Sequence, residues 1–206
     1  IKKANDIIGA VTIDKSEAEM EALKEYRGIA KAFRALFYID LVGYYDSLEA
    51  KAPMLPTYEA DLLKVKDYIV PIVTELTDEK AAKQNQRAKR EEMFEFILND
   101  LNEAETLISE AKYKPATIGL PSLAVVYGLK ARAYNWLGGF NESYENVPTG
   151  NDAYKLAAQY ARKAITASGC SIMTEAQYTD PITGFCKVNS AWMWGMQQST
   201  GTVLNN

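Results

Sequence analysis

Apolar residues return every third or fourth position through most of this chain, which restricts it to packed helices and leaves little room for a sheet. Phe33, Phe37 and Leu41 fall at i, i+4 and i+8, and Ile29, Leu36 and Ile39 widen the stripe onto a second face. A helix over residues 16–45 is therefore expected to be buried on more than one side. At about 1.5 Å per residue it would run about 40 Å, longer than most globular helices, so a kink is expected near Gly28. Ser16 and Glu19 have the spacing of a capping box at its start.

Proline and glycine punctuate the rest. Pro53 and Pro56 mark residues 46–66 as a loop or insertion, and the β-branched run Tyr68-Ile-Val-Pro-Ile-Val-Thr suits an extended or irregular segment. A second helix is expected from near Asp78 or Gln86 to Ile108, with Phe94, Ile97, Leu98, Leu101 and Ala104 on its apolar face. A third covers residues 122–137 and is stopped by Gly138-Gly139. Residues 140–152, with Pro148 and Gly150, read as a loop. A fourth helix over 153–167 ends at Gly169, with Ala157, Ala161 and Ala164 on one face where a neighbour can come close.

Tyr127, Ala131 and Tyr134 on the third helix and the three alanines on the fourth fit the small and aromatic positions of a tetratricopeptide pair, although the connecting loop is longer than that repeat allows. The expected fold is mainly all-α: a tetratricopeptide-like α-α repeat superhelix with irregular insertions and a few short extended segments. Helix pairs are placed at about 16–108 and 122–168, and insertions at about 46–66 and 139–152, in a single domain over 1–206.

Composition removes several classes of function. The 206 residues are 48% hydrophobic and 24% charged, enough for a sizeable core, while the longest uncharged apolar run, 120–129, falls short of the ~20 residues of a membrane span. A net charge of −4 gives no basic field for a nucleic acid. The most basic stretch, residues 80–90, is flanked by Asp78-Glu79 and Glu91-Glu92 and reads as a solvated, compensated helix face.

There is no histidine, which takes away the commonest general base, the commonest metal ligand and every Ser-His or Cys-His nucleophile. Cys170 and Cys186 are too few for a zinc site. They either close a disulfide loop of about 16 residues, worth ~3 kcal/mol in the chain-entropy model, or stay as two free buried thiols. Glu17, Glu19, Glu21, Glu91, Glu92, Glu103 and Glu105 read as charged helix faces rather than as the facing acid pair a glycosidase needs. Asp40 and Asp100 lie beside apolar positions and suit a structural role between helices. No metal, cofactor or catalytic residue is expected, and the chain is not expected to be an enzyme.

Six segments in order carry a family likeness. They are Arg34-Ala-Leu-Phe-Tyr-Ile-Asp-Leu-Val, Val70-Pro-Ile-Val, Arg90-Glu-Glu-Met-Phe-Glu-Phe-Ile-Leu-Asn-Asp-Leu-Asn-Glu-Ala, Ala131-Arg-Ala-Tyr-Asn-Trp-Leu-Gly-Gly, Ala161-Arg-Lys-Ala-Ile-Thr-Ala-Ser-Gly and Trp192-Met-Trp-Gly-Met-Gln-Gln. Together they resemble the SusD/RagB family, nutrient-binding surface lipoproteins of gut-type bacteria, over about residues 20–200. The last of them would be a closing strand. Two departures stand out: residues 46–66 exceed the family's short turn before the Val-Pro segment, and family members run to several hundred residues. The chain reads as a fragment covering the first repeats, without the family's N-terminal lipid anchor.

The resemblance implies non-catalytic capture of oligosaccharides, or of peptides in some members. It implies a place on the outer face of the outer membrane, against a SusC-like TonB-dependent transporter. A plain tetratricopeptide scaffold for protein partners is the rival reading. Tyr38, Tyr127, Tyr134, Tyr160, Trp192 and Trp194 are expected in the core. The expected ligand contacts lie on the two insertions: Tyr45, Asp46, Tyr58 and Tyr68 around the first, Phe140, Asn141 and Tyr144 around the second.

Overall fold

A computed structural model describes residues 1–46, 67–182, 184 and 187–195, and eight helices form among them. They are α1 (Lys2–Thr12), α2 (Glu17–Ala22), α3 (Lys24–Tyr45), α4 (Glu79–Gln84), α5 (Arg90–Glu110), α6 (Leu123–Gly138), α7 (Gly150–Ser168) and α8 (Glu175–Thr179). Their caps are those the sequence offers. Ser16 and Glu19 form the capping box of α2, Asp78 accepts the Ala81 N–H at α4, and Ser122 accepts the Val125 N–H at α6. Gly169 ends α7 in the left-handed region at φ 64°, which a side chain would resist.

Several boundaries differ from those expected. The helix over 16–45 is broken at Leu23 (φ −110°, ψ 10°) and not kinked at Gly28. Gly28 serves a different purpose: a Cβ there would lie 3.0 Å from Ile108 Cγ1 and 3.1 Å from Leu107 Cβ, so its bare backbone lets α3 lie close on α5. The inward face of α3 is Ala35, Tyr38, Ile39 and Val42, while Phe33 and Leu41 are half-buried and Phe37 is exposed. The second expected helix is two, α4 and α5, and α7 starts three residues early at Gly150. Neither α1 nor α8 was among the helices expected, although Ala4, Ile8 and Val11 recur at helical spacing and form the buried face of α1.

The segment 68–74 is irregular, one of the two forms its β-branched run suggests, and pairs antiparallel with the chain before α5 through the Tyr68–Lys89 bridge, while Asp67 just before it turns into the left-handed region at φ 67°. Ile69 N–H donates to Ala88 O (2.9 Å), Ala88 N–H to Val70 O (3.1 Å) and Arg90 N–H to Asp67 O (2.7 Å). Residues 192–194, expected to be a strand, are not one. A strand needs a ladder of backbone bonds, whereas Gly195 N–H to Ile118 O (3.3 Å) is joined here by an indole bond, Trp194 Nε1 to Gly119 O (3.0 Å).

Helix α6 packs most extensively on α7, and α3 on α5, with α5 against α6 joining the two pairs and α1 lying on α3. One core runs through both: Tyr38, Phe94, Ile97 and Leu101 on one side, Val126, Ala133, Leu137 and Ala157 on the other. This is a tetratricopeptide-like stack of helix pairs. On the helix that packs most extensively against α6, Ala153, Ala157 and Ala164 of α7 are buried and Ala161 half-buried. Among the described residues, no helix is long and apolar enough to cross a membrane.

A buried ionic cluster ties the first pair together. Arg34, 2% exposed, donates Nε to Asp100 Oδ2 (2.6 Å), Nη2 to Asp100 Oδ1 (2.8 Å), and Nη1 to both Asn5 Oδ1 (2.9 Å) and Glu75 Oε2 (2.6 Å). Lys31 adds bonds to Asp100 (3.0 Å) and Glu103 (3.1 Å). Arg132 on α6 reaches Asp40 on α3 at 2.9 Å. Asp40 and Asp100 thus bridge helices, the role their positions suggest.

Burial works to raise the Glu75 carboxyl, but its backbone hydrogen bond and the Arg34 guanidinium together outweigh that and hold it below the usual carboxylate range. A carboxylate lowered in the folded state contributes stability that is present above its unfolded pKa and lost as pH falls through the folded value. Glu75→Gln is therefore expected to flatten the acid limb of a stability curve from urea unfolding as pH falls below about 5. An unchanged slope would remove this pair as its source. At the α3–α5 crossing, Gly28→Val is expected to lower stability by about 1–3 kcal/mol through overpacking, read from the urea midpoint.

Candidate ligand-binding surface

Both irregular regions return to one side chain, Arg90, the first residue of α5. It was expected on a solvated face, yet it is 2% exposed. The reason is a full set of partners from three parts of the chain. Asp46, just after α3, takes Nε (3.1 and 2.9 Å to its two oxygens) and Nη2 (2.8 Å). Nη1 donates to Tyr144 Oη (3.0 Å) and Glu142 Oε2 (3.3 Å) and lies 2.9 Å from Asp67 Oδ1. Phe140 lies beneath the guanidinium, 3.9 Å from Cζ to the ring centre. Trp136 Nε1 donates to Asp46 Oδ2 (3.0 Å), so α6 joins the same cluster.

Burial opposes the Arg90 charge, but hydrogen bonds with Asp46 and Tyr144 outweigh it and raise the guanidinium above its ordinary value. Burial also raises the Tyr144 phenol, against the opposing pull of Arg90, and so keeps it a neutral hydrogen-bonding group. The second loop is held from beneath as well. Glu91 Oε1 accepts the backbone N–H groups of Glu145 (2.6 Å) and Asn146 (3.0 Å), and Thr149 Oγ1 donates to Glu142 O (2.6 Å).

The expected ligand residues therefore divide. Asp46, Phe140 and Tyr144 come together, but around Arg90, where their functional groups are engaged in holding the loops. Tyr45 (53% exposed), Tyr68 (37%) and Asn141 stay exposed at the same end of the helices, beside the still more exposed Tyr44. Tyr58 lies outside the described residues, as does Cys186 and with it the expected disulfide; Cys170 makes no disulfide among them. Arg90, Trp136 and Glu91 were not expected to matter. The available signal was that Arg90 opens one of the six family-like segments.

Among the described residues, other concave regions lie elsewhere. The most apolar, about 580 Å³, is walled by Ile7, Tyr26, Ile29, Phe33, Phe37 and Leu120. A second, about 480 Å³, lies between residues 113–124 and the end of α7. The third, about 460 Å³, crosses α5, α6 and α7 and is lined by tyrosine and polar groups. Tyr38 and Tyr134 are buried as expected, whereas Tyr127, Tyr160, Trp192 and Trp194 are only half-buried. Among the described residues, no group of three or more His, Cys, Asp or Glu side chains is placed to hold a metal ion.

No family model and no curated protein matches the chain. Solved structures do. A SusD-like carbohydrate binding protein from Bacteroides vulgatus superposes with a TM-score of 0.64 at 23% identity, over 95% of this chain and 34% of its own. SusD superfamily proteins from Bacteroides thetaiotaomicron and Bacteroides fragilis give TM-scores of 0.59 and 0.57 at 17% and 18% identity, over 87% and 85% of this chain. The chain thus has the helical fold of SusD-like proteins and spans about a third of the length of these structures, between 30% and 34%.

Truncating Asp46 to Ala leaves the buried Arg90 charge and the Trp136 indole N–H without their main acceptor. It is expected to destabilise the chain by about 3–5 kcal/mol in urea unfolding. A loss below about 1 kcal/mol would mean that Glu142 and Asp67 suffice to hold the arginine.

Proposed function

We propose that this chain forms the helical-repeat part of a SusD/RagB-type protein that captures nutrient oligosaccharides without catalysis. In the whole protein, a lipid anchor would hold it on the outer face of the outer membrane, beside a SusC-like TonB-dependent transporter that takes up the captured glycan. The observation that carries this reading is the match in fold over 95% of the chain to a SusD-like carbohydrate binding protein. The six ordered segments of the sequence support it.

In this reading the Arg90 cluster is the support and the exposed residues above it are the contacts. Tyr45 and Tyr68 offer rings on which a sugar face can stack, and Asn141 offers an amide that both donates and accepts. Isothermal titration of the chain against maltohexaose, cellohexaose, xylohexaose and mannohexaose tests it. One of the glycans is expected to bind, and Tyr45→Ala or Tyr68→Ala to weaken it about tenfold, the worth of one stacking contact. Phe140→Ala is expected instead to lower the melting temperature. Silence toward every glycan, with heat only from peptides, would overturn the sugar reading in favour of peptide capture.

A further inference from the structure

Helix α3 carries a second apolar stripe. Tyr26, Ile29, Phe33 and Phe37 fall at i, i+3, i+7 and i+11, the spacing of a buried helix face, yet none of them joins the core that α3 shares with α5 and α6. Tyr26 is 51% exposed and Phe37 40%, and Ile7 of α1, which walls the same groove of about 580 Å³, is 47% exposed. Single exposed apolar side chains are ordinary, but a contiguous set along one helix face marks a surface made for contact. A helix that is apolar on two faces is built to be covered on both.

The kind of contact follows from three observations. The groove is walled mainly by rings and aliphatic side chains, with Phe33 stacked on Phe37 at 6.3 Å and 23° and Leu120 nearby. Such a lining suits apolar side chains better than a hydroxylated sugar, which needs polar groups converging on it. The last described residues already pack at its rim: the Trp194 ring lies 5.6 Å from Phe33, its Nε1 donates to Gly119 O (3.0 Å), and Gly195 N–H donates to Ile118 O (3.3 Å). The chain thus reaches residue 195 beside Phe33 and Leu120. Finally, the solved structures that share this fold are about three times as long, since the chain spans 30–34% of them.

We infer that in the whole protein this groove is an internal seam, filled by apolar side chains of the polypeptide that follows residue 206. The inference rests on the reading of the chain as the repeat part of a longer SusD/RagB-type protein, and not on what that protein captures. It gives the Phe33 and Phe37 spacing a physical reason: the stripe is a core stripe whose other half lies further along the polypeptide.

Hydroxyl-radical footprinting, read residue by residue by mass spectrometry and normalised to an added reporter peptide, tests the seam on three proteins. They are this chain, the whole protein, and a version that keeps whatever precedes Ile1 and stops at Asn206. Tyr26 and Phe37 are expected to react freely in this chain and in the stopped version, and to lose most of their reactivity in the whole protein. Equal reactivity in the whole protein would overturn the seam. So would protection in the stopped version, which would assign the cover to preceding residues, or protection in this chain that grows with its concentration, which would assign it to a second copy. Glycan binding by a whole protein with both rings unprotected would overturn the seam and leave sugar capture standing. Protected rings in a whole protein that binds no glycan would do the reverse. A gene that encodes nothing beyond Asn206 would overturn the seam together with the reading of the chain as part of a larger protein.

Discussion

The guanidinium of Arg34 is the constraint on which the first half of the molecule depends. One planar group, almost wholly buried, binds Asp100 of α5 through two parallel bonds, Asn5 of α1 and Glu75 of the segment before α4. Four parts of the chain must therefore arrive together or leave a charge stranded. A buried pair of this kind adds little net stability relative to an apolar filling, but losing one partner is expensive, so it penalises misplacement more than it rewards assembly. Phe96 completes the enclosure with its ring 4.9 Å from the arginine carbon. The same logic recurs at Arg90, where Asp46, Phe140 and Tyr144 close around a second guanidinium.

The Arg90 cluster separates buried from exposed residues at one end of the helices. It fastens Asp46 together with Phe140, Glu142 and Tyr144 to one end of α5, a rigid base of the kind on which exposed loops are best held. Asp46 and Tyr144 are engaged below the surface in holding Arg90, while Tyr45, Tyr68 and Asn141 stay exposed.

Much of the fold was legible because helical periodicity and capping are local signals. Ser16 with Glu19, Ser122 and Gly169 each marked a boundary that the structure keeps. What the sequence hid was long-range. The main carboxylate partners of Arg34 and Arg90, Asp100 and Asp46, lie 66 and 44 residues away, and nothing in the pattern around either arginine says that its charge is buried. Arg90 even ends a run of mixed charge that looks solvated. Phe33 and Phe37 misled in the opposite sense: their spacing is that of a core stripe, but the face that packs on α5 is the one with small residues and Tyr38. Of the residues expected to meet a ligand, Asp46, Phe140 and Tyr144 lie together, and the division between buried and exposed members depended on a cation that no local rule identifies.

The tether beneath the second loop has a consequence for how such a surface can change over generations. Glu91 holds residues 145 and 146 by their main-chain N–H groups, which every residue except proline supplies. The anchor thus reads the path of the loop and not its lettering. Positions such as Asn141 and Glu145 can accept new side chains while the backbone stays where the helix end puts it, so the chemistry offered to the outside can be rewritten one residue at a time on an unchanged frame.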